Sequence, residues 1–148
     1  MSAPHPYQAI PATIERRRRR RHVLVVAVDG VVPEGLAHAD VVVVAPAHNS
    51  RLRRWLSDED AARRRANERL WTLVDRLRPV AAHVEGRVGD ADPLLATADA
   101  LATFPADEIV VAAGAEYSTD RAQALVARAR ERFALPVRHA GDSHAVAA

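Results

Sequence analysis

Cysteine and lysine are both absent from this sequence, and aromatic residues are scarce: two tryptophans, two tyrosines and two phenylalanines among 148 residues. The absence of cysteine excludes disulfide bonds, thiolate chemistry and cysteine-ligated metal. Because lysine is missing, all 21 basic residues are arginine, so an arginine at any one position is weak evidence of a functional role. No apolar run approaches the roughly 18 residues of a membrane span, and we therefore expect a cytoplasmic protein with no membrane partner.

The positive charge is concentrated in residues 1–21, which carry six arginines, at 16–21, and a single acid. This segment also contains three prolines and lacks a periodic apolar pattern, so we interpret it as a disordered, arginine-rich leader. An arginine run can bind nucleic acid or an acidic partner through its positive charge. No aromatic residue is interleaved with the run to stack on bases, so we do not expect nucleic acid to be a partner.

Short apolar runs are the main structural signal in the rest of the chain. Residues 107–114 read DEIVVAAG, and similar runs lie at 22–28 and 40–47. Runs this short, without alternation, are typical of strands covered on both faces of a parallel sheet. Residues 80–88 alternate apolar and polar side chains, which predicts an edge strand, and residues 136–139 predict a short last strand.

Helical patterns separate these strands. The first connection is so short that we expect only one or two helical turns at 34–39, limited by Pro33 and Gly35. The later patterns predict helices at 57–78, at 93–103 after an N-cap at Asp92, and after residue 120. Trp71 falls outside the apolar stripe of the first long helix, so it marks either a partner surface or a single exposed aromatic. The inward residues that we predict are Ala62, Ala66, Leu70, Leu73, Val74 and Leu77, then Leu94, Leu95, Ala98, Leu101 and Ala102, and finally Ala122, Leu125, Val126, Ala129 and Phe133.

Strands that alternate with helices predict one α/β domain over residues 22–140, with helices on both faces of a parallel sheet and a flexible tail at 141–148. Ligands of such sheets bind beyond the carboxyl ends of the strands. The segment after the second strand lies on that rim, where Asn49, Ser50 and Arg51 are candidates for holding an anion.

In the order and spacing of several short motifs, the chain resembles the universal stress protein family. These are VAVDG at 26–30, GDADP at 89–93 and ADEIVV at 106–111, while NSRLR at 49–53 with SDED at 57–60 is similar to a divergent branch of that family. The resemblance implies a doubly wound, five-stranded parallel sheet of strand order 3-2-1-4-5. It also implies a homodimer, commonly formed through the last strand.

Nucleotide-binding members of that family carry a phosphate loop of pattern G-x2-G-x9-G-[ST] after the fourth strand. Here Gly114 matches the first glycine, but Tyr117 and Ala127 stand at the other two glycine positions. Glycine matters there because it lets backbone N–H groups approach phosphate oxygens closely. Ser118 and Thr119 remain at a predicted helix N-terminus, which is enough for a weak anion site but not for a triphosphate.

The resemblance also implies a nucleotide crevice between the first and fourth strands. Asp29 corresponds to the residue that faces the adenosine part of the ligand, with Gly30 beside it, and Ala45 and Pro46 correspond to the segment that lines the base. Asp29 has an equally plausible structural role, capping the short first helix or holding the turn at Gly30.

Three functions follow from these observations. The first is a non-catalytic binding or regulatory module of the universal stress type, which we favour because the seven histidines are scattered and no nucleophile motif or metal-ligand spacing is present. We therefore expect no catalytic residue, no metal and no obligate cofactor. The second is an ATP- or AMP-binding protein with weak or no hydrolysis, and the third is nucleic-acid or acidic-partner binding through the arginine run at 16–21.

Overall fold

The computed structural model describes residues 20–47, 59–114 and 117–140, and these ranges form one α/β unit. The predicted leader at 1–19, the tail at 141–148 and the rim residues Asn49, Ser50 and Arg51 lie outside the described residues. The strands are β1 (His22–Ala27), β2 (Asp40–Pro46), β3 (His83–Gly89), β4 (Glu108–Ala112) and β5 (Val137–Ala140), and the helices are α1 (Glu59–Leu77), α2 (Pro93–Thr103) and α3 (Thr119–Arg132).

The five strands form one parallel sheet in the order β3-β2-β1-β4-β5. This confirms the predicted doubly wound topology and the edge position of β3. β1 lies at the centre of the sheet, where Val23 pairs with Val41 of β2 and with Glu108 of β4. Its side chains are fully buried from Val23 to Ala27, because both faces and both edges of this strand are covered.

Alternating residues of the sheet belong to two separate apolar clusters. On one face, Val25 and Val43 share a cluster with Leu70 and Leu73 of α1. On the other face, Leu24 shares a cluster with residues of α2 and α3. Because successive side chains of a strand point to opposite faces, α1 covers one side of the sheet while α2 and α3 cover the other.

The short helix that we predicted at residues 34–39 is wrong. The described chain has bends and a turn there, with no helix between β1 and β2. Gly35 and His38 adopt positive φ values of 76° and 62°. That conformation interrupts a right-handed helix, so the segment crosses the sheet as an irregular loop that buries Leu36 and Ala39.

The predicted inward stripe of α1 is confirmed, since all six of its residues are buried and Trp71 is 48% exposed. The inward face predicted for α2 is partly wrong, because Leu95 and Ala102 are exposed while Ala96 and Thr97 are buried. The reason is a close approach between α2 and β3: a Cβ atom built on Gly89 would lie 2.8 Å from the Cβ of Ala96. A small residue must face the sheet at that point, and this contact fixes the rotation of the helix.

Among the described residues, no helix combines the length and the apolar character that crossing a membrane requires.

Candidate functional site

The carboxyl ends of β1 and β4 meet at the buried side chain of Asp29. Its two carboxylate oxygens are both used by the backbone: Oδ1 accepts a hydrogen bond from the amide of Val31 at 3.1 Å, and Oδ2 accepts one from the amide of Gly114. The residue is only 5% exposed. The carboxylate therefore ties the loop after β1 to the loop after β4.

Gly114 is packed against the protein itself. A Cβ atom built on this glycine would lie 2.1 Å from Cγ2 of Val31 and 3.3 Å from both carboxylate oxygens of Asp29. The glycine is thus required because Val31 occupies the space above it. The crevice between β1 and β4, which the sequence predicted as a ligand site, contains Val31 at this point.

The other predicted residues of the crevice take different positions. Ala45 is fully buried in the cluster beneath α1, and Pro46 is buried beside it, with its carbonyl accepting a hydrogen bond from Nη2 of Arg69 at 3.0 Å. Gly30 is exposed, and a Cβ atom built on it would have no neighbour within 4 Å. Of these three residues, only Gly30 presents its surface to solvent.

The start of α3 is capped by its own chain. The hydroxyl of Ser118 accepts a hydrogen bond from the amide of Arg121 at 3.2 Å, and Thr119 is the exposed first residue of the helix. Tyr117 donates its amide to the carbonyl of Gly114 at 3.1 Å and packs against the core, with the guanidinium of Arg121 stacked 4.6 Å from its ring centre. The structure thus brings Asp29 and Gly114 into contact. Ser118 and Thr119 come four and five residues after Gly114 in the sequence.

A cleft of about 340 Å³ lies between β3 and α2, and a second of about 500 Å³ lies between the N-terminus of α2 and α3. The second cleft carries two arginines, Arg121 and Arg128, beside Tyr117. Arg128 lies two helical turns after Arg121 in α3. Its spacing of seven residues from Arg121 places both arginines on one stripe of α3, and Tyr117 lies just before the N-cap Ser118.

Two acidic residues near this cleft have structural roles. Asp92 caps α2 as predicted, accepting a hydrogen bond from the amide of Leu94 at 2.9 Å, and Asp90 accepts one from the amide of Asp92 at 2.9 Å. Within the part of the chain that the structure describes, no three His, Asp or Glu side chains converge as metal ligands would.

The fold and this site define a doubly wound parallel α/β protein in which the side chain of Asp29 joins the loops after β1 and β4. Neither a protein-family model nor a curated protein matches this chain.

Proposed function

We propose that this chain is a non-catalytic binding and regulatory module of the universal stress type, acting as a cytoplasmic homodimer. The proposal rests on the hydrogen bonds that the carboxylate of Asp29 makes within the protein. Both of its carboxylate oxygens accept backbone hydrogen bonds, and Val31 fills the space above Gly114. A nucleotide that needs those groups would first have to displace the protein's own contacts.

The start of α3 supports the same conclusion. The hydroxyl of Ser118 is already engaged with the amide of Arg121, and Asp120 places an acid in the first helical turn. Negative charge at that position opposes a bound phosphate, since it competes for the positive end of the helix dipole. We therefore favour partner binding over nucleotide binding.

The surface offers features that suit a protein partner. Four large apolar side chains are exposed among the described residues: Trp71, Val80, Val88 and Leu95. Two of them, Trp71 and Val88, belong to elements that pack together, α1 and the edge strand β3. Apolar exposure next to a sheet edge is typical of surfaces that associate with another chain.

Calorimetric titration with ATP and magnesium tests the proposal against its nucleotide alternative. We expect no saturable binding below millimolar nucleotide, because the crevice holds Val31 and the carboxylate of Asp29 is engaged. Saturable binding that is lost in Ser118→Ala and Thr119→Ala would contradict the proposal. Glu131→Ala, an exposed change near the opposite end of α3, is the matched control and leaves the titration unchanged.

A further inference from the structure

The edge strand β3 carries a row of backbone groups that point away from the sheet. At one end of β3, the carbonyl of Gly89 accepts a hydrogen bond from the amide of Ala47, the residue after β2. At the other end, the amide of His83 donates to the carbonyl of Ala39, the residue before β2. Because backbone groups of alternate residues in a strand point to opposite sides, the odd-numbered residues of β3 bond to β2. The amides and carbonyls of Val84, Gly86 and Val88 therefore face outward.

The opposite edge of the sheet is protected differently. The carbonyl of Pro136 bonds to Ile109 of β4, so the carbonyl of Val137 points away from the sheet. There it accepts two hydrogen bonds from Arg130 of α3, at 3.1 and 2.9 Å. A guanidinium over the outward carbonyl blocks strand addition at β5, whereas the sequence of β3, HVEGRVG, contains no proline to protect its edge.

The sequence of β3 is self-complementary. If two copies of the strand pair antiparallel with Gly86 opposite Gly86, Val84 of one copy lies opposite Val88 of the other. In the same arrangement Glu85 of each copy lies opposite Arg87 of the other, so the sheet-edge contact contains two pairs of opposite charge. The outward groups of both strands then form about six backbone hydrogen bonds.

The charges also select this register. The neighbouring registers that still match outward groups to outward groups are centred on Glu85 or on Arg87. They place glutamate opposite glutamate or arginine opposite arginine, which destabilises a cross-strand pair. Only the register centred on Gly86 therefore combines backbone hydrogen bonds with opposite charges.

The side chains of β3 are divided between the two faces of the sheet in a way that suits this pairing. Arg87 bonds to Glu85 at 2.9 Å and to the hydroxyl of Thr103 in α2, so both charged residues lie on the α2 face. Gly86 lies beneath α1, where a Cβ atom built on it would be 3.1 Å from Cδ1 of Leu70. Val88, which is 38% exposed, shares that face.

Trp71 is exposed on α1, the helix that packs against β3. Arg69, two residues earlier, reaches the carbonyl of Pro46 in β2. Two residues along a helix are about 200° apart, so Trp71 projects away from the side of α1 on which Arg69 reaches Pro46. Since the axis of the pairing passes through Gly86, beneath Leu70, the Trp71 side chains of two copies lie on either side of it.

We propose that this chain forms its homodimer by antiparallel pairing of two β3 strands about a two-fold axis at Gly86, giving one continuous ten-stranded sheet. The proposal rests on the homodimer named above and specifies its interface. The partner is a second copy because the charge order Glu85–Arg87 is complementary to itself when reversed, as an isologous interface requires.

Sedimentation equilibrium of the full chain, from low micromolar to near millimolar concentration, tests the interface. We expect a concentration-dependent dimer for the natural chain. Glu85→Arg and Arg87→Glu place like charges opposite each other and should each weaken dimerisation by about 10-fold or more. The double variant Glu85→Arg/Arg87→Glu restores opposite charges and should return the dissociation constant to within about 3-fold of the original value.

The matched control is Glu131→Arg, which replaces an exposed residue of α3 and alters the net charge by the same amount as Glu85→Arg. It should leave dimerisation unchanged. Circular dichroism checks that each variant folds. A monomer at every concentration would overturn both the homodimer and its interface. A dimer unaffected by the single reversals, or a double variant as weak as the single ones, would overturn the β3 interface and leave the homodimer standing.

Discussion

Replacing Asp29 separates its structural role from a role in ligand binding. Its carboxylate holds the amides of Val31 and Gly114, and the residue is 5% exposed. Asp29→Ala removes both acceptors, leaving two amides in a largely buried junction without their partner. Asp29→Asn keeps the size of the side chain but offers one carbonyl oxygen, so one amide then faces an NH₂ group.

The expected cost follows from the number of bonds lost. A hydrogen bond to a charged group contributes about 1.5 to 3 kcal/mol, so we expect the loss of two in Asp29→Ala to lower the free energy of unfolding by about 3 to 6 kcal/mol. Asp29→Asn should cost about half of that, because one bond survives. In a domain of this size, 3 kcal/mol corresponds to a fall in the melting temperature of about 10 °C.

Urea unfolding followed by far-ultraviolet circular dichroism measures these differences. Glu34→Ala is the control, since Glu34 is an exposed acid in the same loop, and it should change the unfolding free energy by less than about 0.5 kcal/mol. An Asp29→Ala variant as stable as the natural chain would refute the structural role. If that stable variant also lost a measurable affinity for ATP, Asp29 would be a ligand-binding residue instead.

Two further predictions concern the same junction. Gly114→Ala should destabilise the fold by about 1 to 3 kcal/mol because its Cβ would meet Val31, and adding Val31→Ala should recover part of that loss in a double-mutant cycle measured by urea unfolding. If the two changes proved additive, the contact would not be the cause. Ser118→Ala removes the N-cap of α3 and should cost about 1 kcal/mol in the same assay, while Ser118→Asp should retain most of the stability; equal losses in both would contradict the capping role.

The positions of the buried strands were predictable because buried parallel strands leave a strong signal, whereas their order was implied only by the resemblance to the universal stress protein family. The runs around Val25, Val43 and Val110 are apolar without alternation, as strands covered on both faces require. The edge position of β3 was also readable, since Glu85 and Arg87 interrupt its apolar residues. These features depend on local composition, which the sequence carries directly.

Two local features were not predictable in the same way. In α2, apolar residues occur on several sides, so periodicity alone does not choose the inward face; the contact between Ala96 and Gly89 chooses it. The loop at 34–39 contains residues that allow a helix, and only the positive φ values of Gly35 and His38 show that it is irregular. Both depend on contacts or backbone angles that form with the tertiary structure.

The candidate site was likewise predictable from the sequence only in part. The sequence placed Asp29 and Gly114 at the carboxyl ends of neighbouring strands, and the structure brings them into contact. It did not identify Val31 as the residue that packs against Gly114, because that requires the path of an irregular loop. Gly114 resembled the first glycine of a phosphate loop, whereas its described neighbours explain it by the packing of Val31.

The most direct test of the account is a nuclear magnetic resonance titration with ATP and magnesium that follows the amides of Val31, Gly114, Ser118 and Thr119. The account predicts that these four resonances keep their positions up to millimolar nucleotide, and that the amides of Val31 and Gly114 exchange slowly with solvent. Saturable shifts of Gly114, Ser118 and Thr119 at micromolar nucleotide would contradict it.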